Sequence, residues 1–144
     1  MDTLHLVVGV ALIGLNLLAG AWGGVSWLTQ RPSVSFWYLL RAAQAAVVLQ
    51  ALLGAILVFL GHEAEDSLHY VYGILPLAVT LLAEGARSGA EQHELEGLDF
   101  EGLPRDRQRT IVTAIARREM GIMAVSALVI FFLALRAAAT SSGF

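Results

Sequence analysis

The sequence predicts an all-α fold, an integral-membrane up-down four-helix bundle forming a single domain over residues 1–144. Three observations predict it. Hydrophobic residues make up 57% of the chain and charged residues only 15%, where soluble domains carry about a quarter charged. Four apolar runs are long enough to cross a hydrocarbon core of about 30 Å, which takes about 20 helical residues. The Arg residues gather beside alternate connections between those runs.

The first span runs from about Leu4 to Leu28 and the second from about Phe36 to Leu60. The apolar part of the third runs from Leu68 to Ala83, and its helix is expected to close near residue 86. The apolar part of the fourth runs from Met120 to Leu135. Its helix is expected to begin earlier, near Pro104 or Asp106, and to cross the membrane within 110–137. Pro suits a first turn, where its missing N–H would have had no partner. In lipid each span must be helical, because every backbone polar group has to be satisfied internally. Residues 88–103, rich in Gly and Glu without apolar periodicity, read as a flexible loop.

Arg31 and Arg41 flank the first connection. Arg87, Arg105, Arg107, Arg109, Arg117 and Arg118 lie in or beside the third. The second connection, Gly61 to Ser67, has no basic residue, and Arg136 alone stands against the pattern. The positive-inside rule then makes the first and third connections cytoplasmic and leaves both termini outside. The N-terminus has Asp2 and no positive n-region, so the first span reads as a retained helix rather than a secretory signal.

A net charge of −3 gives no footing for nucleic acid. With no Cys, disulfides, thiolate metal sites and Cys nucleophiles are excluded. There is no phosphate-binding Gly loop, no G-x-S-x-G and no H-E-x-x-H. The implied partners are the lipid bilayer and either another membrane protein or further copies of the chain.

Helical spacing picks out interior faces. His5, Gly9, Asn16 and Gly23 fall within about 40° of one another on an ideal helix. His69, Gly73, Pro76, Thr80 and Glu84 form a second stripe, and Glu119 and Ser126 share a face on the fourth span. Gly20 with Gly24, and Ala42 with Ala46, are small-x-x-x-small pairs suited to close packing. Pro76 is expected to kink the third helix or free a carbonyl. Treating the second and third spans as a tight hairpin pairs Gln50 with Thr80 in depth. It also brings Arg41 and Gln44 to Glu84. A charge network of Arg41, Glu84, Arg118 and Glu119 is expected there, since pairing makes partial burial less costly.

Three of the four His residues fall at the opposite, outer end. His5 and His69 each begin an interior stripe, and two inward His on different helices are how a membrane bundle holds haem b. His5, His69, Tyr72 and Arg136 form the candidate haem site, with Arg136 placed for a propionate. His62, Glu63 and Asp66 form a weaker candidate metal site. His93 reads as part of a solvated segment.

The run Leu68-His69-Tyr70-Val71-Tyr72-Gly73-Ile74-Leu75-Pro76-Leu77 resembles a motif of small, uncharacterised four-span membrane proteins of high-GC bacteria. Arg117-Arg118-Glu119, leading to Leu135-Arg136-Ala137, looks like that family's closing element. The resemblance implies a bacterial cytoplasmic membrane protein and implies no activity. More distantly, the chain is similar to the His-bearing four-helix halves of haem A synthase and cytochrome b561-type proteins. It departs from them in having no His on the fourth span.

The functional expectation is a non-enzymatic accessory or assembly subunit of a larger membrane complex, such as a respiratory one. The alternatives are a haem b or metal-binding electron-transfer protein, and a small oligomeric transporter using Asn16, Gln50 and Thr80.

Overall fold

The computed structural model describes residues 2–62, 64 and 66–140. Four helices follow in order: α1 (Asp2–Leu28), α2 (Val34–Phe59), α3 (Leu68–Leu95) and α4 (Arg105–Ala139), with no strand among the described residues. All four are long and apolar enough to cross a membrane.

Neighbouring helices are antiparallel. Gly23 near the end of α1 faces Phe36 near the start of α2. Arg41 early in α2 meets Glu84 late in α3, and Arg87 meets Glu119 early in α4. Gly20 of α1 faces Leu128 of α4. These pairs describe an up-down bundle. Its four sides are unequal: α1 packs along α2 and α4, and α4 along α3, but α2 and α3 meet far less.

Glycine explains the tight α1–α4 side. A Cβ on Gly20 would come within 2.6 Å of the Leu128 side chain and 3.1 Å of its backbone nitrogen. A Cβ on Gly23 would strike the Phe36 ring and lie 2.9 Å from the Ala124 Cβ, and one on Gly121 would lie 2.9 Å from the Trp27 indole. Close backbone approach of this kind is how helices gain packing contact in lipid. Gly24 meets nothing within 4 Å, so the expected Gly20–Gly24 pair is half right. Ala42 is likewise exposed, and its neighbour Ala43 is fully buried.

The core has two parts. Ala19, Phe36, Leu40, Ala43, Met120 and Met123 belong to one cluster, at the Arg-rich half. Leu12, Val47, Ile130 and Ala134 form the other. The polar stripe residues inside are satisfied locally. Asn16, 1% exposed, donates to the Leu12 carbonyl at 2.9 Å, and Thr80 donates to the Pro76 carbonyl at 2.8 Å. The helix α3 continues through Pro76.

Helix ends are closed by recognisable devices. Ser33 caps α2: its Oγ accepts from Phe36 N–H at 3.3 Å and from the Trp22 indole at 3.0 Å, which ties α1 to α2. At the end of α1, Arg31 N–H reaches the Ser26 carbonyl at 3.0 Å and Gln30 N–H reaches Trp27 at 3.2 Å. Gln30 takes φ 58°. The end of α2 repeats this pattern, with His62 to Leu57, Gly61 to Val58 and φ 82° at Gly61. Both are Schellman closures.

The third connection corrects the sequence reading. Residues 88–95 are helical, not loop: α3 runs to Leu95, Ala90 is buried, and Glu94 accepts from Arg118 at 3.0 Å. Ala, Glu, Gln and Leu favour helix even where no apolar stripe marks it. At 1.5 Å per residue the 35 residues of α4 extend about 52 Å, more than the hydrocarbon core requires. The surplus pairs with the end of α3. Gln108 braces the intervening turn by donating to the carbonyls of Phe100 and Leu103, both at 3.0 Å. The expected start of the fourth helix near Pro104 agrees with the observed Arg105.

Candidate functional site

Where α2 and α3 part, the bundle holds a cavity of about 740 Å³. It lies at the end that carries the start of α1, the connection between α2 and α3, and the end of α4. Small residues make the room: Gly9, Gly54, Gly73, Ala51, Ala55 and Ala134 are all in its wall. Leu6, Val10, Val58 and Ile74 line it and are also exposed on the bundle surface, so the cavity opens sideways. Its lining is mostly apolar, and its polar groups come from His5, Gln50, His62, His69, Tyr70 and Tyr72. Its volume and lining match those of small-molecule sites.

The structure brings His5 and His69 together, with ring centroids 6.2 Å apart and planes at 56°. Each ring also reaches another helix. His5 Nε2 lies 3.1 Å from Gln50 Nε2 on α2, and a Cβ on Gly54 would meet His5 Cε1 at 3.4 Å. The Nε2 edge of His5 therefore faces α2. His69 Nδ1 lies 3.0 Å from the Ala137 carbonyl on α4. A carbonyl oxygen only accepts, so Nδ1 carries a proton, and in the neutral ring Nε2 keeps the lone pair. The Gln50 Oε1 is buried with no hydrogen-bond partner among the described residues.

Tyr72 lines the cavity, and the Arg136 guanidinium sits 5.9 Å from its ring centroid. Arg136 is exposed and reaches the site only through that ring. Of the weaker metal candidate, His62 and Asp66 are among the described residues. Asp66 turns its Oδ1 to the Leu68 N–H at 2.9 Å, starting α3. His62 stands exposed at the cavity rim, and Glu63 lies outside the described residues. Among the described residues no group of three His, Cys, Asp or Glu is placed to hold a metal.

The charge network sits at the other end and differs in membership from the expectation. Glu84 Oε1 accepts from Arg41 at 2.6 Å and from Gln44 at 2.7 Å, and Oε2 accepts from Arg87 at 2.9 Å. Arg87 also reaches Glu119 at 3.3 Å and stands 6.0 Å from the Trp37 ring centroid. Arg118, expected in this set, bonds Glu94 instead. Arg87 takes its place because it faces Glu119 in the same antiparallel register that joins His69 to Ala137.

Sequence reasoning missed two members, Gln50 as the partner of His5 and Arg87 as the bridge. Gln50 was legible from the α1–α2 hairpin, which sets it within about one turn of His5 in depth. Arg87 was legible from the α3–α4 hairpin by the same argument. The expected level pairing of Gln50 with Thr80 gives no bond: Gln50 turns to His5, and Thr80 and Asn16 bond within their own helices. These three residues are therefore not linked into a polar path.

No family model, curated protein or solved structure matches this chain. What it does has to be read from its own residues.

Proposed function

We propose that this chain is a multi-pass protein of the bacterial cytoplasmic membrane that binds a lipophilic small molecule in the cavity between α2 and α3. In this reading it performs no catalysis of its own and serves as an accessory or assembly subunit of a larger membrane complex. The side-opening cavity of about 740 Å³, with its histidine and glutamine groups, carries the reading. An apolar molecule dissolved in the bilayer reaches such a cavity laterally, without crossing water. The clustering of Arg beside the first and third connections supports placing that end in the cytoplasm and the cavity in the outer half. The accessory role is supported by how little of the chain lies outside its helices.

The test is to purify the protein in mild detergent from its native membrane and extract the bound lipophiles for mass spectrometry. One compound enriched near one per chain is expected, and Gly54→Trp, which fills the cavity, should lose it. Lipid recovered in the same proportions as the bulk membrane, unchanged in the variant, would remove the reading.

Haem b between His5 and His69 is the second reading, favoured by the 6.2 Å separation of the rings. An iron with two axial imidazoles needs both coordinating nitrogens turned toward each other. His5 directs Nε2 to Gln50 instead, so the arrangement favours an organic ligand.

A further inference from the structure

We propose that the cavity ligand is a lipophile carrying a hydroxyl, an alcohol or a phenol, held by hydrogen bonds to His69 Nε2 and the Gln50 side-chain amide. The inference rests on the cavity reading above and narrows its chemistry. It begins at the Ala137 carbonyl, which accepts from His69 Nδ1 at 3.0 Å and thereby fixes the tautomer. The remaining ring nitrogen of a neutral His69 can only accept. His69 lines the cavity, so its ligand has to supply a donor. A ketone, ester or ether oxygen cannot.

Gln50 points to the same group. Its Oε1 is buried with no hydrogen-bond partner among the described residues, while its Nε2 is engaged by His5. Turned end for end, the amide accepts from His5 through its oxygen and presents its nitrogen to the cavity, so that no buried carbonyl oxygen stays unsatisfied. A single hydroxyl then serves both residues with its one proton, donating to His69 Nε2 and accepting from the Gln50 nitrogen. The other walls are apolar and suit a hydrocarbon body. Leu6, Val10, Val58 and Ile74 at the sideways opening give a chain an apolar route out.

Two sources share this chemistry, a phenolic ring with an alkyl tail and a long-chain alcohol. The experiment is calorimetric titration of the full chain in mild detergent with 4-decylphenol, its methyl ether 4-decylanisole, and 1-tetradecanol. The ether keeps the body and the oxygen and carries a methyl group in place of the donor hydrogen. At least one hydroxylated probe should bind near one per chain. Decylphenol should exceed its ether by roughly tenfold if the phenolic source is right. Tetradecanol binding well above both would assign the aliphatic source. His69→Ala should bring the hydroxylated probe down toward the ether and leave the ether unchanged, and Gln50→Leu should weaken the hydroxylated probe.

Equal binding of phenol and ether, with tetradecanol no tighter, would overturn the hydroxyl inference while leaving the cavity reading in place. No binding by any probe would overturn both. The phenol–ether comparison uses the unmodified chain, so it decides the matter even if a variant fails to fold.

Discussion

Arg41 on α2 and Glu84 on α3 are joined Nη1 to Oε1 at 2.6 Å, and this pair fastens one end of a seam that opens into the cavity at the other. Glu84 does more than pair with one Arg. It gathers Arg41, Gln44 and Arg87 from two helices, and Arg87 carries the link on to Glu119 of α4. Glu84→Ala should therefore take a carboxylate from two guanidinium groups at once, leaving Arg41 with Gln44 and Arg87 with Glu119. A loss of roughly 1–2 kcal/mol is expected, since the site is only partly shielded from solvent. Arg118→Ala removes an exposed pair with Glu94 and should cost less than about 0.5 kcal/mol. Thermal unfolding in detergent followed by circular dichroism compares them; an equal or larger loss from Arg118→Ala would reject this ranking.

The two Schellman closures predict substitutions of opposite sign. Gln30 holds φ 58° and Gly61 holds φ 82° in the same hydrogen-bonded frame. A residue with a Cβ pays roughly 1–2 kcal/mol in that left-handed region, and glycine does not. Gln30→Gly should raise the unfolding midpoint and Gly61→Ala should lower it, each by about 1 kcal/mol. A loss of stability in Gln30→Gly would mean that the Gln30 side chain contributes more than its backbone costs.

The α1–α4 contact gives a third prediction, which separates true packing glycines from a sequence pattern. Gly20→Ala and Gly23→Ala each place a methyl group against a neighbour that has little room to give, at about 1–3 kcal/mol. Gly24→Ala meets open space and should be neutral or mildly stabilising. Parallel melts of the three variants test it, and a Gly24→Ala loss as large as the others would show that the G-x-x-x-G spacing matters after all.

That contrast shows where the sequence is informative. Length and apolarity alone locate the four helices, because a bilayer-crossing helix announces itself over about 20 residues. The start of α4 at Pro104 was legible from proline chemistry, and the meeting of Arg41 with Glu84 from a hairpin count. The helical extension to Leu95 was not, because a polar helix stabilised by pairs such as Arg118–Glu94 leaves no apolar stripe. Choosing between Gly23 and Gly24 requires the rotation of α1 against α4, and one residue of rotation exchanges a buried position for a partly exposed one. The cavity was only half visible. His5 and His69 stood out, but the opening exists because α2 and α3 diverge, and the equal-sided hairpin that predicted a level pairing of Gln50 with Thr80 hid the divergence.

Topology offers a fourth prediction. A phosphatase active only outside the cytoplasm, fused after Phe144, should be active, and the same reporter placed after Leu98 between α3 and α4 should be silent. The reverse pattern would put the cavity in the inner half of the membrane and make cytoplasmic lipophiles its source.

The fifth prediction concerns haem. A spectrum of protein produced with ample haem, oxidised and then reduced with dithionite, separates the two readings of the histidine pair. The present geometry predicts no stoichiometric Soret band. To ligate iron, His5 would have to give up Gln50, leaving both ends of a buried amide unsatisfied, at roughly 1–3 kcal/mol for each group. Gln50→Leu removes that tether. If haem is the ligand, the substitution should preserve or improve its uptake, because a competitor for His5 has gone. If the ligand is the hydroxylated lipophile, the same substitution should weaken binding. The sign of this single change therefore distinguishes the two chemistries, and a Soret band lost in both His5→Ala and His69→Ala would make haem the ligand of the cavity.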